Sequence, residues 1–307
     1  MKLTHNNVWN DNEAWREKNV KLPKFNYQRV KQNTQEKPQW VHFGAGNIFR
    51  AYQSNIYQTL LNNGDVDTGI IVAEGFDYEI IDKVYRPNDN NGLLVTLKVN
   101  GETEMTVISS VVESLKLDQD TPEDFVRLQE IFANPSLQMA SFTITEKGYN
   151  VHDLEGEFYP DIKIDLNNPI EDAQSYIGKL VSLLHHRFVE SKAPIALVSM
   201  DNVSRNGDFL KKAILSLANV WLDSKAVTQD FIDYLNDETQ VSYPWSMIDK
   251  ITPRPDDAVK DMLLDLNFDA NPIITTKGTY IAPFVNAEES EYLVIEDNFP
   301  NGKPPLE

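Results

Sequence analysis

The sequence has 307 residues, with 28 basic and 47 acidic side chains, so its net charge at pH 7 is −19. A hydrophobic fraction of 41% with 24% charged residues indicates a globular protein of one large domain or two ordinary ones. The excess of acid argues against nucleic acid or an anionic membrane as the main partner, because phosphates are neutralised by lysine and arginine.

The amino-acid composition excludes several kinds of metal and catalytic site. The absence of cysteine excludes disulfides, zinc–thiolate sites and a cysteine nucleophile, and the five histidines form no HExxH pattern, so we predict no metal site. The N-terminal segment lacks the apolar run of a signal peptide, and no apolar stretch approaches the ~18 residues of a membrane span. These features predict a cytoplasmic protein.

The first elements in chain order form one βαβ unit. Residues 1–37 are polar and lysine-rich and are predicted to form a solvated N-terminal arm. Residues 40–46 (WVHFGAG) are typical of a short apolar strand that ends in glycines, and residues 47–61 follow as an amphipathic helix. Asn63-Gly64 is predicted to end that helix, because both residues tolerate the left-handed conformation. Residues 68–73 form a continuous apolar run, as expected of a parallel strand buried on both faces.

The rest of the chain continues the alternation of strands and helices. Residues 93–99 and 104–112 flank Asn100-Gly101, a strong hairpin signal that predicts an antiparallel extension of the sheet. The remaining predicted elements are strands at 139–145, 194–200 and 245–251 and helices at 121–132, 172–190, 206–223, 227–236 and 256–266. The pattern predicts an α/β fold, a doubly wound, mostly parallel Rossmann-type sheet in one domain over residues 38–307.

Ligands of open parallel sheets bind at the carboxyl ends of the strands, so the polar residues there are the candidate site. After the first strand, Gly44 permits a tight turn, and Gly46 lets backbone N–H groups approach a pyrophosphate. Phe49 replaces the usual third glycine, and Arg50 is available as an extra cation for phosphate. Glu74 follows the second strand, where an acid binds the adenosine ribose and repels a 2′-phosphate, which favours NAD over NADP. An ordinary glycine turn and a solvated loop acid are the alternatives.

Further polar clusters follow three later strands: Thr145-Glu146-Lys147-Gly148-Tyr149, residues 201–207 (DNVSRNG) and Asp249-Lys250. Each cluster alone is typical of a capped turn. Because the carboxyl ends of parallel strands share one edge of the sheet, the four clusters together indicate a cleft there.

These clusters also carry a resemblance. Four segments resemble the successive motifs of the mannitol dehydrogenase family, the polyol-specific long-chain dehydrogenases. They are residues 42–53 (HFGAGNIFRAYQ), 143–149 (TITEKGY), 199–207 (SMDNVSRNG) and 246–253 (SMIDKITP). The tail at 292–307 (YLVIEDNFPNGKPPLE) is similar to the segment that leads into that family's second domain. The resemblance implies a Rossmann-type domain followed by a largely helical domain, zinc-independent hydride transfer with NAD, and usually a monomer. It also implies a polyol or sugar-acid substrate, of the mannitol/fructose or mannonate/fructuronate type.

The resemblance also implies roles for individual residues. Those implied to hold the cofactor pyrophosphate are Gly44, Gly46, Asn47, Ile48, Phe49 and Arg50. Glu74 would meet the adenosine ribose, and Glu146 and Lys147 would lie on the nicotinamide side of the cleft. Asn202 would donate to the substrate oxygen as half of an oxyanion hole, because a ketone that accepts hydride develops negative charge there. Asp249 would assist proton movement.

One family motif does not occur in these 307 residues. It is the Lys-x4-Asn-x2-His motif of the second domain, whose lysine is the family's general acid/base. We therefore expect a chain that binds cofactor, turns over little alone, and exposes an apolar docking face through which it associates. Two alternatives remain open: an S-adenosylmethionine-dependent methyltransferase, for which a glycine loop and an acid also suffice, and a non-catalytic nucleotide-binding module.

Overall fold

The computed structural model describes residues 1–255, 257–268 and 270–306, apart from the side chains of Glu146 and Lys147. The strands it describes are β1 (Trp40–Phe43), β2 (Ile70–Glu74), β3 (Gly92–Leu97), β4 (Thr103–Ile108), β5 (Val111–Lys116), β6 (Met139–Phe142), β7 (Ile195–Ser199), β8 (Val241–Ser242), β9 (Ser246–Lys250), β10 (Ile273–Ile274), β11 (Tyr280–Ile281), β12 (Phe284–Glu288) and β13 (Glu291–Ile295). Its α-helices are α1 (Glu13–Glu17), α2 (Tyr27–Glu36), α3 (Asn47–Ala51), α4 (Gln53–Asn63), α5 (Pro122–Ala133), α6 (Thr145–Gly148), α7 (Pro160–Asp165), α8 (Tyr176–Glu190), α9 (Asn206–Asp223), α10 (Gln229–Asn236) and α11 (Asp257–Asp265).

A six-stranded parallel sheet in the order β5-β2-β1-β6-β7-β8 forms the centre of the fold. Alternate side chains of β1 face opposite layers: Val41 and Phe43 pack with α5 and α8, whereas Trp40 packs with α2 and α4. Helices therefore cover both faces, which confirms the predicted doubly wound α/β fold. Among the described helices, none is long and apolar enough to cross a membrane.

The N-terminal segment is not the solvated arm that its charge predicts. Leu3, Val8, Trp15 and Val20 are buried, and they form one cluster with residues of β3, β4 and α11. The prediction was wrong because these apolar side chains are spaced singly among polar ones. Such spacing gives no continuous apolar run, although the short helical turns bring the side chains to one side.

The predicted hairpin is confirmed, but it does not extend the central sheet. β3 and β4 pair antiparallel, and β3 pairs in parallel with β12, so the three strands form a second sheet. The chain changes sheets at Ser109 and Ser110. The Ser109 amide donates to Gln58 Oε1 at 2.5 Å in place of a backbone carbonyl, and the Ser110 hydroxyl donates to Ser54 O at 2.6 Å.

The strand predicted at 245–251 also leaves the central sheet. β9 pairs antiparallel with β13 in a two-stranded ribbon, and the sixth strand of the central sheet is the short β8. Along β9 the apolar Ile248 is buried, while Met247 and Asp249 are exposed. This alternation is typical of a half-exposed ribbon rather than of a parallel strand covered on both faces.

Candidate functional site

The glycine turn after β1 is closed on one side and open on the other. Gly44 has φ +113°, and a Cβ there would lie 2.4 Å from Thr143 O, so only glycine fits. Gly46 is exposed at the N-cap of α3 with φ −76°, and no atom lies within 4 Å of the position its Cβ would take. The turn therefore presents open space at Gly46, while Gly44 packs against Thr143, the residue that follows β6.

Both polar backbone groups of Ala45, between the two glycines, are held by side chains. The Ala45 amide donates to Glu74 Oε2 at 2.8 Å, and its carbonyl accepts from the Tyr85 hydroxyl at 3.1 Å. Glu74 Oε1 accepts from the amides of Phe76 at 2.7 Å and Asp77 at 3.2 Å. The structure thus places Glu74 against the glycine turn, only 8% exposed, and not in a solvated loop.

A buried histidine supports the turn from below, and the sequence reasoning did not select it. His42 Nδ1 lies 2.6 Å from Ser141 Oγ, and Nε2 lies 2.8 Å from Thr143 Oγ1, on the residue that packs against Gly44. The His42 ring stacks on Phe49 at 4.2 Å. Burial lowers the pKa of His42 to about 3, so the ring is neutral and supports the turn through packing and hydrogen bonds. The only sequence signal was a histidine inside an apolar strand.

The predicted helix at 47–61 is interrupted at Tyr52, where φ is −117° and ψ is −75°. In its first part, Asn47 is half-buried and Ile48 is exposed beside Gly46, whereas Phe49 is fully buried. The prediction that Arg50 is available at the turn is wrong. Arg50 is 6% exposed and its guanidinium lies 6.0 Å from the centre of the Tyr85 ring, because it belongs to the inward face of α3.

At the ends of β6 and β7, one carboxylate joins two of the predicted clusters. Asp201 accepts hydrogen bonds from the amides of Ile144 at 3.0 Å and Thr145 at 2.9 Å and from the Tyr149 hydroxyl at 2.6 Å. Thr145 has φ +65°, an unfavourable conformation that these contacts hold in place. Burial raises the pKa of Asp201. The side chains of Glu146 and Lys147, predicted on the nicotinamide side, lie outside what the structure describes.

Asn206, which the sequence reasoning also passed over, connects the end of β7 with the β9–β13 ribbon. Its Nδ2 donates to Ser199 O at 2.9 Å, Asp201 O at 3.0 Å and Ser246 O at 3.1 Å, and its Oδ1 accepts from the Ser246 amide at 3.0 Å. Asn206 is fully buried. It therefore fixes the start of the ribbon to the loop that carries Asn202.

The two predicted catalytic residues lie on the elements that Asn206 joins. Asn202 is exposed in the turn between β7 and α9, and Asp249 is exposed on the ribbon, opposite Tyr292. Between these two residues the structure records no direct contact. The exposed apolar side chains on and beside the ribbon are Trp245, Met247, Ile251, Tyr292 and Val294.

Lys250 is the neighbour of Asp249 on the inner side of the ribbon. Its side chain is 3% exposed, and its Nζ contacts Glu291 Oε2 at 2.5 Å and Glu288 O at 2.6 Å. The first contact is to the neighbouring strand β13 of the ribbon, and the second is to the last residue of β12 in the second sheet. This lysine therefore joins the ribbon to the end of β12.

Comparisons with known proteins agree with the geometry. The chain is 49% identical to D-mannonate oxidoreductase of Thermotoga maritima over 308 residues, an alignment that covers 100% of this chain and 56% of the relative. It is 31% identical to D-mannonate oxidoreductase of Escherichia coli over 272 residues, with 86% of this chain and 51% of the relative covered. The chain thus spans about half the length of these relatives.

A solved structure shows the same fold. Mannitol 2-dehydrogenase of Pseudomonas fluorescens, in a ternary complex with NAD and D-mannitol, matches with a TM-score of 0.77 at 26% sequence identity, covering 100% of this chain and 56% of that one. The model of the mannitol dehydrogenase Rossmann domain matches residues 38–307. The family predicted from the four motifs is therefore confirmed: the chain belongs to the mannitol dehydrogenase family, whose Rossmann domain it contains.

Proposed function

We propose that this chain binds NAD(H) along the carboxyl edge of its central sheet, as the cofactor-binding part of an oxidoreductase. The reaction is the interconversion of a polyol or hexonate and its 2- or 5-keto form. The observation that carries the proposal is the open space at Gly46, where a Cβ would meet no atom within 4 Å, beside a turn whose other glycine is tightly packed. Family membership supports the same assignment.

The turn fits a pyrophosphate by its backbone. Gly46, Asn47 and Ile48 form the start of α3, where helix amides have no partner in the preceding turn of helix and favour an anion. The exposed Ile48 borders the same opening, while Phe49 holds the turn from the core side. Arg50 is left out of this contact set, because its guanidinium is buried.

Glu74 is proposed to meet the adenosine ribose. Its carboxylate already joins the end of β2 to the glycine turn through the Ala45 amide, so a ribose next to a pyrophosphate bound at this turn would meet it. A carboxylate oxygen has capacity for more than one hydrogen bond, so a ribose hydroxyl can be bound in addition. Its negative charge would repel a 2′-phosphate, which favours NAD over NADP.

The substrate side rests on two exposed residues. NAD supplies hydride exchange when bound. The amide of Asn202 is proposed to donate to the substrate oxygen and stabilise its developing negative charge. Asp249 is proposed to assist proton movement, and Asn206 keeps the loop and the ribbon that carry these residues in a fixed relation. The lysine motif that serves as acid/base in the family does not occur in the 307 residues, so no residue here is assigned that role.

Calorimetric titration with NADH, NADPH and S-adenosylmethionine tests the proposal, followed by assays of fructuronate and fructose reduction. We expect saturable NADH binding, weaker NADPH binding, no response to S-adenosylmethionine and little turnover by this chain. Gly46→Val should abolish NADH binding without loss of the folded state, because the added side chain enters open space. Binding of S-adenosylmethionine without NADH would indicate a methyltransferase, and a folded chain that binds none of the three would indicate a non-catalytic module.

A further inference from the structure

Arg50 is a cation buried on the inward face of α3. It is 6% exposed and faces the second sheet, and neither Nη1 nor Nη2 has a hydrogen-bond partner among the described residues. The nearest charged or aromatic contact recorded is the Tyr85 ring at 6.0 Å. Burial lowers the pKa of Arg50, as expected for a charge without compensation, although a guanidinium stays protonated.

The same chain shows how the fold satisfies a buried guanidinium elsewhere. Arg187 is also fully buried, and it donates to five backbone carbonyls. These acceptors are Ala193 O at 2.8 Å, Phe132 O at 2.6 Å, Asn134 O at 2.9 Å, Leu137 O at 3.0 Å and Pro194 O at 2.8 Å. Among the described residues, no such set of carbonyls meets the Nη atoms of Arg50, so the two guanidinium groups differ in how their charge is accommodated.

A cavity of about 20 Å³ lies against Arg50. Its polar lining includes Ser54, Tyr85, Asn90 and Asn91. The side-chain oxygens of the two asparagines are already bound: Asn90 Oδ1 accepts from Ser114 Oγ at 2.6 Å, and Asn91 Oδ1 accepts from Ser109 Oγ at 2.5 Å.

No carboxylate is among the residues that line this cavity in the described part of the chain. The cavity therefore has a cation on its wall and no acidic side chain to balance it. Leaving a buried charge unpaired is strongly destabilising, and an occupant must supply both an acceptor and a negative charge to remove that cost. Water supplies only the acceptor.

We propose that this cavity is a binding site for a small monovalent inorganic anion of the halide class, which pairs with the Arg50 guanidinium. The volume of the cavity corresponds to a single small occupant, which favours a monatomic anion over larger organic ones. The site lies directly behind the glycine turn, because Tyr85, which lines it, donates its hydroxyl to Ala45 O. The anion thus supports the turn from the inside and is separate from the open face at Gly46.

The test is the thermal unfolding midpoint of the chain in sodium chloride and in sodium gluconate at equal ionic strength. We expect a saturable rise in the midpoint with chloride or bromide and none with gluconate, which is too large for the cavity. Arg50→Met should abolish the halide dependence, and Arg29→Met, at an exposed arginine, should retain it. If Arg50→Met does not fold, Arg50→Lys serves instead, with a halide dependence moved to higher concentration.

Bromide in crystals of the unmodified chain gives a second, independent measurement. An anomalous peak within hydrogen-bond distance of the Arg50 Nη atoms is expected. The proposal requires both the halide-dependent midpoint and the bromide peak. Equal midpoints in chloride and gluconate, a halide effect that persists without Arg50, or absence of the bromide peak would overturn it and indicate a water-filled cavity.

Discussion

The two glycines of the turn after β1 should respond in opposite ways to the same substitution. In Gly44→Ala the new Cβ would lie 2.4 Å from Thr143 O and 2.9 Å from Thr143 Oγ1, at φ +113°. A left-handed backbone costs a non-glycine residue ~1–2 kcal/mol, and overpacking adds ~1–3 kcal/mol. We expect the free energy of unfolding to fall by about 2–5 kcal/mol, or roughly 5–15 °C in the midpoint.

Gly46→Ala adds the same methyl group where the structure has open space and an ordinary φ of −76°. Its unfolding free energy should stay within ~0.5 kcal/mol of the unmodified chain. Its NADH affinity should fall at least about tenfold, because ~1.4 kcal/mol of steric interference with the phosphate corresponds to that factor.

Urea unfolding and calorimetric NADH titration of both variants separate the two effects. Each variant is the control for the other, since the chemical change is identical and the positions are two residues apart. The reasoning is refuted if Gly44→Ala unfolds at the midpoint of the unmodified chain, or if Gly46→Ala binds NADH unchanged.

Three further predictions concern the residues around the turn and the ribbon. Burial lowers the pKa of His42 to about 3, so the stability that comes from the neutral ring is present above the unfolded-state pKa near 6.5 and is lost as the pH falls. At pH 5 this loss is about 2 kcal/mol. Urea unfolding at pH 7 and pH 5 should show that His42→Gln removes this part of the pH dependence. Asp201→Asn leaves one of the amides of Ile144 and Thr145 without an acceptor, and should lower the unfolding free energy by about 1–3 kcal/mol in the same assay. Met247→Glu combined with Val294→Lys should reduce the binding of a hydrophobic dye and self-association in sedimentation, with the unfolding free energy unchanged within ~0.5 kcal/mol.

Each of these predictions has a defined failure. An equal pH dependence in His42→Gln would show that the His42 ring takes up a proton as readily in the folded chain as in the unfolded chain. An Asp201→Asn variant of full stability would show that the Ile144 and Thr145 amides find other acceptors. Unchanged dye binding after substitution of Met247 and Val294 would place the accessible apolar surface elsewhere.

The sequence predicted the order of the elements well, because the signals are local. The mainly apolar runs that include residues 40–43 and 70–73 are sufficient for parallel strands, and Gly64 ends α4 with φ +81° as expected. Sheet membership was less predictable. The hairpin and the strand at 246–250 have ordinary strand patterns, but a hydrophobic pattern does not specify which strand pairs with which. Both elements pair outside the central sheet.

Motifs at predicted strand ends selected the glycine turn, Glu74, the loop of Asn202, and Asp249. The structure places the first three at strand ends of the central sheet and Asp249 within the β9–β13 ribbon. The residues that hold them together were missed, since Asp201 and Asn206 read as ordinary polar turn residues. Arg50 was misplaced for the opposite reason: its charge suggested a surface role, whereas α3 directs it inward.

The sequence by itself determined the fold class and the family, and it predicts a site at the carboxyl ends of the strands. These follow from periodicity, glycine positions and short motifs, which are properties of neighbouring residues. Only the tertiary structure decided which side chains are buried and which groups they contact. Examples are the Glu74–Ala45 contact, the hydrogen bonds of the Asp201 carboxylate, and the Arg50 Nη atoms, which have no partner among the described residues. Such contacts join residues as far apart as 57 positions, from Ile144 to Asp201, and so depend on how the whole chain packs.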